Sequence, residues 1–182
     1  FDNRDGWIWM DGQFVQHRDA RVHVLTHAMH YASAVFEGER AYDGVIFKSR
    51  EHSERLHTSA RILGFQLPYS AEEIDRAKAE LIARQGTPNC YMRAIAWRGS
   101  EQMGVSAKRD DVHVAISSWV WGDYFADKMK GVRLMIAPWR RPAPDTAPAN
   151  SKAAGLYMIC TLSRHAATDA GFDDAMMFDW RG

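Results

Sequence analysis

Lys152 stands in NSKAAGLY, residues 150–157, directly after the proline-rich run RRPAPDTAPA. The spacing reads as the first turn of a helix. A cation there lies at the positive end of the helix macrodipole. Ser151, Ala153, Ala154 and Gly155 replace the polar bulk that a surface helix usually carries, so a ligand could approach closely. A lysine desolvated in such a place is a nucleophile toward carbonyl carbon, and a solvated lysine in the first turn of a helix is the ordinary alternative. Arg93 is the second residue that asks for a chemical reason. It sits inside the apolar strand CYMRAIAW, where a charge is costly unless it is paired or faces a cleft. A substrate carboxylate, or a hydrogen-bond network that organises a pocket, would account for it. Arg55, in SERL, offers a guanidinium fork that suits phosphate oxygens. Glu51 at i−4 makes an ordinary helix ion pair the alternative. His27 and His30 at i, i+3, with His23 nearby, have the spacing of metal ligands. No Cys or carboxylate cluster joins them, and hydrogen-bonded structural histidines are the expectation. Cys90 and Cys160 lack C-x-x-C spacing and are expected as reduced core thiols.

The elements that must position these residues follow from apolar periodicity. Trp7 to Met10 and Phe14-Val15 flank Asp11-Gly12, a β-hairpin signal. Val22 to Leu25 is a short alternating stretch. Ala34 to Tyr42 alternates as one strand and turns at Asp43-Gly44 into Val45-Ile46-Phe47. Leu56, Ala60 and Leu63 mark one helix face, with Gly64 just past its end. Ser70 to Glu73 is a capping box, and Ile74, Ala77, Leu81 and Ile82 form the stripe of the helix behind it, which stops near Gly86. Cys90–Trp97, Val112–Val120 and Val132–Ala137 read as strands. Residues 151–170 read as a helix with Leu156, Ile159, Cys160 and Ala167 to one side and Gly171 as its stop. Ala175 to Asp179 reads as a short buried strand. Hairpins, two helices and two strands in that order predict an α+β fold.

With 182 residues the chain can hold one domain, or one domain and part of another. Lys and Arg together number 23, as do Asp and Glu, and no basic block gives a nucleic-acid footprint. No apolar run has the length needed to cross a bilayer, and no secretory leader pattern opens the chain; the two thiols, expected reduced, suit a cytoplasmic protein. Aromatic residues reach 12%, enough for a large core or an aromatic-lined pocket. Both ends read as cut: Phe1 is first, and Trp180-Arg181-Gly182 is a turn after a strand.

Six segments, in order, resemble the branched-chain amino acid aminotransferases, fold-type IV enzymes that use pyridoxal 5'-phosphate. They are HVLTHAMHYASAVFEGERAY, REHSERLHTSA, CYMRAIAWRG, WVWGDY, RRPAPDTAPANSKAAGLY and DDAMMFDWRG. The resemblance runs through nearly the whole chain. It implies a small α+β domain at 1–122, a linker at 123–130, and the first part of a larger cofactor-binding domain at 131–182. Lys152 matches the lysine that carries the cofactor as a Schiff base and shuttles the substrate proton. Arg55 matches the phosphate arginine, and Tyr157 the tyrosine near the cofactor's phenolic oxygen. Phe36, Arg40, Tyr91, Arg93, Trp121 and Tyr124 match the substrate pocket, and Tyr31 a residue that reaches the neighbouring subunit's pocket.

The implied reaction moves an amino group from Leu, Ile or Val to 2-oxoglutarate. The implied partners are small amino and 2-oxo acids and a second copy of the chain, with no metal, nucleic acid or membrane. The family's carboxylate for the pyridine nitrogen, and its remaining phosphate donors, belong past Gly182, so the 182-residue piece alone is expected to be inactive. A D-amino acid aminotransferase, an (R)-amine transaminase or an aminodeoxychorismate lyase shares the lysine and phosphate logic; FEGER and YMR lean toward the branched-chain type. A different class of reading is an inactive fragment that serves as a binding module.

Overall fold

A computed structural model describes residues 1–109, 111–123, 125 and 128–182. Trp7–Met10 (β1) and Gln13–Gln16 (β2) form the expected hairpin. His27–Tyr31 (α1) is a single short helix. Ala34–Phe36 (β3), Glu39–Tyr42 (β4) and Val45–Ile46 (β5) follow, then the helices Ser49–Ile62 (α2) and Ala71–Gln85 (α3). Cys90–Arg98 (β6) and Val112–Trp119 (β7) complete an antiparallel sheet that is seven-stranded among the described residues. Its order is β2-β1-β7-β6-β4-β5, with β3 also on β6. Leu134–Ile136 (β8) and Asp174–Met176 (β9) pair in parallel, joined through the helix Met158–Asp169 (α4).

Alternation along β6 divides the molecule into two faces. Met92, Ala94 and Ala96 point to α2 and α3, where they pack with Leu56, Ala60, Ile74, Leu81, Val114 and Ile116 as the buried core. Each large apolar side chain buried there contributes ~1.5–3 kcal/mol. Tyr91, Arg93 and Ile95 point the other way. The register Phe36↔Ile95, Arg40↔Tyr91 and Trp119↔Tyr91 puts Phe36, Arg40 and Trp119 on that second face too. The capping box at α3 is formed: Ser70 Oγ accepts from the Glu73 amide at 3.2 Å, and Glu73 Oε2 accepts from the Ser70 amide at 2.7 Å. Gly86 ends α3 with a φ of +64°.

Four expectations change. Val22–Leu25 forms no strand: the Thr26 amide donates to the His23 carbonyl and the Leu25 amide to His23 Nδ1, so a local turn takes the backbone groups that a ladder would need. The continuous strand expected at 34–42 breaks at Glu37-Gly38 into β3 and β4, both still paired with β6. The helix expected from residue 151 begins later, as a 3-10 turn at Ala154–Tyr157 and as α-helix at Met158. Lys152 therefore precedes the helix, and the helix-end argument for its reactivity lapses. The strand expected to be buried at 175–179 is the shorter β9, with Met176 44% exposed. Among the described residues, no helix is long and apolar enough to cross a membrane.

Candidate active site

Lys152 is held by its backbone on two sides. Its amide donates to Ser59 Oγ of α2 at 3.0 Å, and its carbonyl accepts from the Phe36 amide of β3 at 3.2 Å. Next to it, Ala153 bridges Val35, and Ser151 Oγ donates to the Ser59 carbonyl. Residues 151–153 thus cover the outer edge of β3, which would otherwise expose unpaired backbone groups. The small neighbours serve this docking rather than open space for a ligand. Ala153 is 4% exposed, and a Cβ added at Gly155 would lie 2.8 Å from the Ala32 Cβ. Lys152 Nζ donates to Tyr157 Oη at 2.6 Å and lies 4.9 Å from the Phe36 ring centroid. The Phe36 and Tyr157 rings meet edge to face at 4.7 Å. An amine, a phenol and an aromatic floor converge at one point.

Arg55 reaches the same region from α2. It pairs with Glu37 rather than with Glu51: Nε donates to Oε1 and Nη2 to Oε2, both at 2.6 Å. Glu51 pairs instead with Lys48. The Glu37 side chain is 1% exposed and also meets His52 Nδ1 at 2.8 Å. Burial pushes the Glu37 carboxyl up, and hydrogen bonds and charge from Arg55 and His52 more than offset this, leaving it below the usual carboxylate range. Arg55 itself is raised, first by the Glu37 hydrogen bonds and to a smaller degree by Tyr157.

On the open face of the sheet, Tyr91, Trp119 and Trp121 form an aromatic wall, with Tyr91 5.0 Å from each tryptophan ring. Arg93 Nη2 donates to Tyr91 Oη at 2.8 Å, and its guanidinium lies 4.6 Å from the Phe36 ring. Arg93 Nε is buried and has no partner among the described residues, an orphan donor that a ligand or water would satisfy. Arg40, paired in register with Tyr91, borders the same wall. Its Nη1 and Nη2 donate to the carbonyls of Trp121 and Gly122 at 2.7 and 2.9 Å, anchoring the segment after β7 beside the wall. Tyr31 stays apart: it is 42% exposed, with its ring against His27 and His30. Tyr124 lies outside the described residues.

The histidines are engaged with backbone. His23 Nδ1 accepts from the Leu25 amide, His27 Nε2 meets the Gly104 carbonyl, and His30 Nε2 meets the Val24 carbonyl. Among the described residues no group of three or more His, Cys, Asp or Glu could hold a metal. Cys90 is buried as expected; Cys160, on α4, is only half-buried.

A second charged group lies under the sheet, and sequence reasoning did not find it. Lys78 Nζ, fully buried, lies 2.8 Å from Glu39 Oε1 and donates to Ser53 Oγ at 2.8 Å. Ser53 and Ser49 in turn donate to Asp75 Oδ1 at 2.6 and 2.8 Å. Burial raises the Glu39 carboxyl above its ordinary range, against the charge and hydrogen bond of Lys78. Glu37, Ser59 and Trp119 were also missed.

The donor set fits pyridoxal 5'-phosphate. Lys152 would supply an amine for its aldehyde. Arg55 Nη1 has no hydrogen-bond partner among the described residues, and the side chain is 54% exposed, so it can face a phosphate. The sequence profile of the family described as Amino-transferase class IV matches residues 34–182. The chain belongs to the class IV aminotransferases. Among relatives of this family, the probable branched-chain-amino-acid aminotransferase of Rickettsia bellii is 39% identical over 182 residues, covering 100% of this chain and 62% of its own. The branched-chain-amino-acid aminotransferase of Pseudomonas aeruginosa is 39% identical over 186 residues, covering 99% of this chain and 61% of its own. The crystal structure of the branched-chain aminotransferase of Thermoproteus uzoniensis with norvaline superposes with a TM-score of 0.92 at 33% identity, over 98% of this chain and 61% of that one. An aminotransferase from Brucella abortus bound to the co-factor PLP gives 0.83 at 26% identity, over 98% of this chain and 64% of that one. The chain spans about three fifths of the length of these class IV relatives, and its fold is the fold-type IV α+β arrangement.

Proposed function

We propose that this chain carries the lysine, the phosphate arginine and the substrate wall of a pyridoxal-phosphate-dependent transaminase for branched-chain L-amino acids, with 2-oxoglutarate as amino acceptor. The observation that carries the reading is the placement of Lys152 Nζ 2.6 Å from Tyr157 Oη and over the Phe36 ring. When bound, pyridoxal 5'-phosphate supplies the electron sink that makes the substrate Cα proton removable. The chain's residues do the rest. Lys152 Nζ carries the Cα proton, as a positioned general base and acid. The Tyr157 hydroxyl orients that amine. Arg55 holds the phosphate through its free edge. Phe36, Tyr91 and Trp121 exclude water and favour an aliphatic side chain, while the Nε of Arg93, unpartnered among the described residues, suits a carboxylate. The branched-chain aminotransferases among the relatives support the substrate class, and the norvaline complex of the Thermoproteus uzoniensis enzyme agrees with an aliphatic amino acid. A homodimer, the division of the chain at 123–130 and the reach of Tyr31 into a partner's pocket belong to the same proposal.

The test uses the protein in its natural full length. Incubation with pyridoxal 5'-phosphate is expected to give a visible absorption band that borohydride bleaches, and peptide mass mapping is expected to place the pyridoxyl group on Lys152. Mapping to another lysine would overturn the proposal. Profiling with L-Leu, L-Val, D-Ala and aminodeoxychorismate then fixes the substrate class.

Gly38 gives a second check. A Cβ there would lie 2.2 Å from Tyr91 Oη, so Gly38→Ala must push the Tyr91 ring and with it the Arg93 hydrogen bond. Misplacement on that scale costs on the order of 10- to 100-fold in efficiency. Steady-state kinetics should show it with the visible band intact; unchanged kinetics would remove Tyr91 from the substrate wall.

A further inference from the structure

We propose that Glu37 is a positioning residue for cofactor binding: it fixes the Arg55 guanidinium so that the Nη1 edge faces the phosphate. The inference rests on the cofactor reading above, and it assigns a role to a residue buried behind the site.

An arginine on an exposed helix face samples many rotamers, and its fork binds an anion well only along the edges it presents. Arg55 is 54% exposed, so solvent alone would leave it free to sample them. Glu37 removes that freedom. Its two oxygens take Nε and Nη2 at 2.6 Å each, a forked pair that sets the guanidinium plane. Glu37 cannot follow a swinging arginine. Its side chain is 1% exposed, His52 Nδ1 lies 2.8 Å from Oε2, and its amide donates to the Ala94 carbonyl of β6 at 2.8 Å. The break between β3 and β4 places it there: Glu37 follows β3 directly, and Gly38 beside it leaves room for the Tyr91 hydroxyl.

The arrangement carries an electrostatic cost. A carboxylate next to Arg55 subtracts from the charge that a phosphate feels. Phosphate affinity at this site therefore depends on the direction of the free N–H bonds more than on net charge. That predicts opposite outcomes for geometry and for charge when Glu37 is altered.

The experiment compares pyridoxal 5'-phosphate with pyridoxal, which lacks the phosphate, on the full protein and its Glu37→Gln, Glu37→Asp and Arg55→Lys variants. Affinities are read by equilibrium dialysis and by the visible band. Glu37→Gln is expected to weaken pyridoxal 5'-phosphate roughly 10-fold, the scale of a charge-assisted hydrogen bond, and to leave pyridoxal within about 2-fold. Glu37→Asp keeps the charge but withdraws the carboxylate by one methylene, and is expected to lose the same discrimination. In the Arg55→Lys background, Glu37→Gln should add nothing. Tighter or unchanged pyridoxal 5'-phosphate binding in Glu37→Gln overturns the proposal, as does equal weakening of both ligands, which marks a general packing role. If Glu37→Gln does not fold, Glu37→Asp matching the parent protein overturns it alone. A parent protein that binds neither ligand refutes the cofactor reading instead.

Discussion

Lys152→Ala is expected to abolish the visible band and to lower transaminase turnover by at least ~10²–10⁴-fold, the contribution of a positioned proton carrier. Stability should hardly change, because the anchors of residue 152 are backbone groups. The amide bond to Ser59 Oγ and the carbonyl bond from the Phe36 amide survive truncation of the side chain. The variant thus separates chemistry from folding. Turnover is measured by 2-oxo acid release, stability by thermal unfolding of both proteins, and partial recovery of turnover with added methylamine would report the missing amine directly. Turnover within about 10-fold of the parent, with the band retained, would remove Lys152 from the mechanism.

Much of this site was legible in order along the chain. The hairpin at Asp11-Gly12, the capping box at Ser70 and both long helices follow from local signals, and the structure forms them where expected. Lys152, Arg55 and Tyr157 were found by motif, and the structure brings them to one region. What was missed involves pairing across long separations. Glu37 and Glu39 occupy the inward positions of an alternation that also includes Val35 and Ala41, so two glutamates sit in the core register. Lys78 sits in the stripe of Ile74, Ala77, Leu81 and Ile82. Each looks like a polar interruption alone, and only the fold joins Lys78 to a residue 39 positions away. The late start of the last helix was missed because small residues favour a helix locally, while the edge of β3 recruits 151–153 as extended backbone.

Lys78→Met should be the most destabilising single change away from the site, by about 3–5 kcal/mol at neutral pH, because it leaves the Glu39 carboxyl buried without its partner charge. The pH dependence follows from the direction of the Glu39 shift. Burial already raises this carboxyl above its unfolded value near 4.5, and Lys78 opposes the rise. Without Lys78 the folded form holds its proton to higher pH still. A carboxyl raised in the folded state favours folding most below its unfolded value, and that contribution is lost as pH rises through the folded value. The variant should therefore lie closest to the parent near pH 4 and fall behind progressively toward neutrality, measured by urea unfolding. Adding Glu39→Leu should return most of the loss by replacing the pair with apolar volume. A deficit that does not grow with pH would show that Glu39 is not the group left unpaired.

The clasp of residues 151–153 on β3 and α2 also bears on the order of assembly. Lys152 meets Ser59 across 93 residues, so the amine proposed above as the proton carrier enters the site only when this distant contact forms. The sheet and its two helices need nothing beyond Trp119 for their own pairing, whereas the amine waits for a contact of high sequence separation. A cofactor that grips both Arg55 and Lys152 binds only the closed form and shifts the equilibrium toward it. Ligand capture and the final step of chain closure are then thermodynamically linked, and the cofactor acts as a staple between early and late parts of the polypeptide.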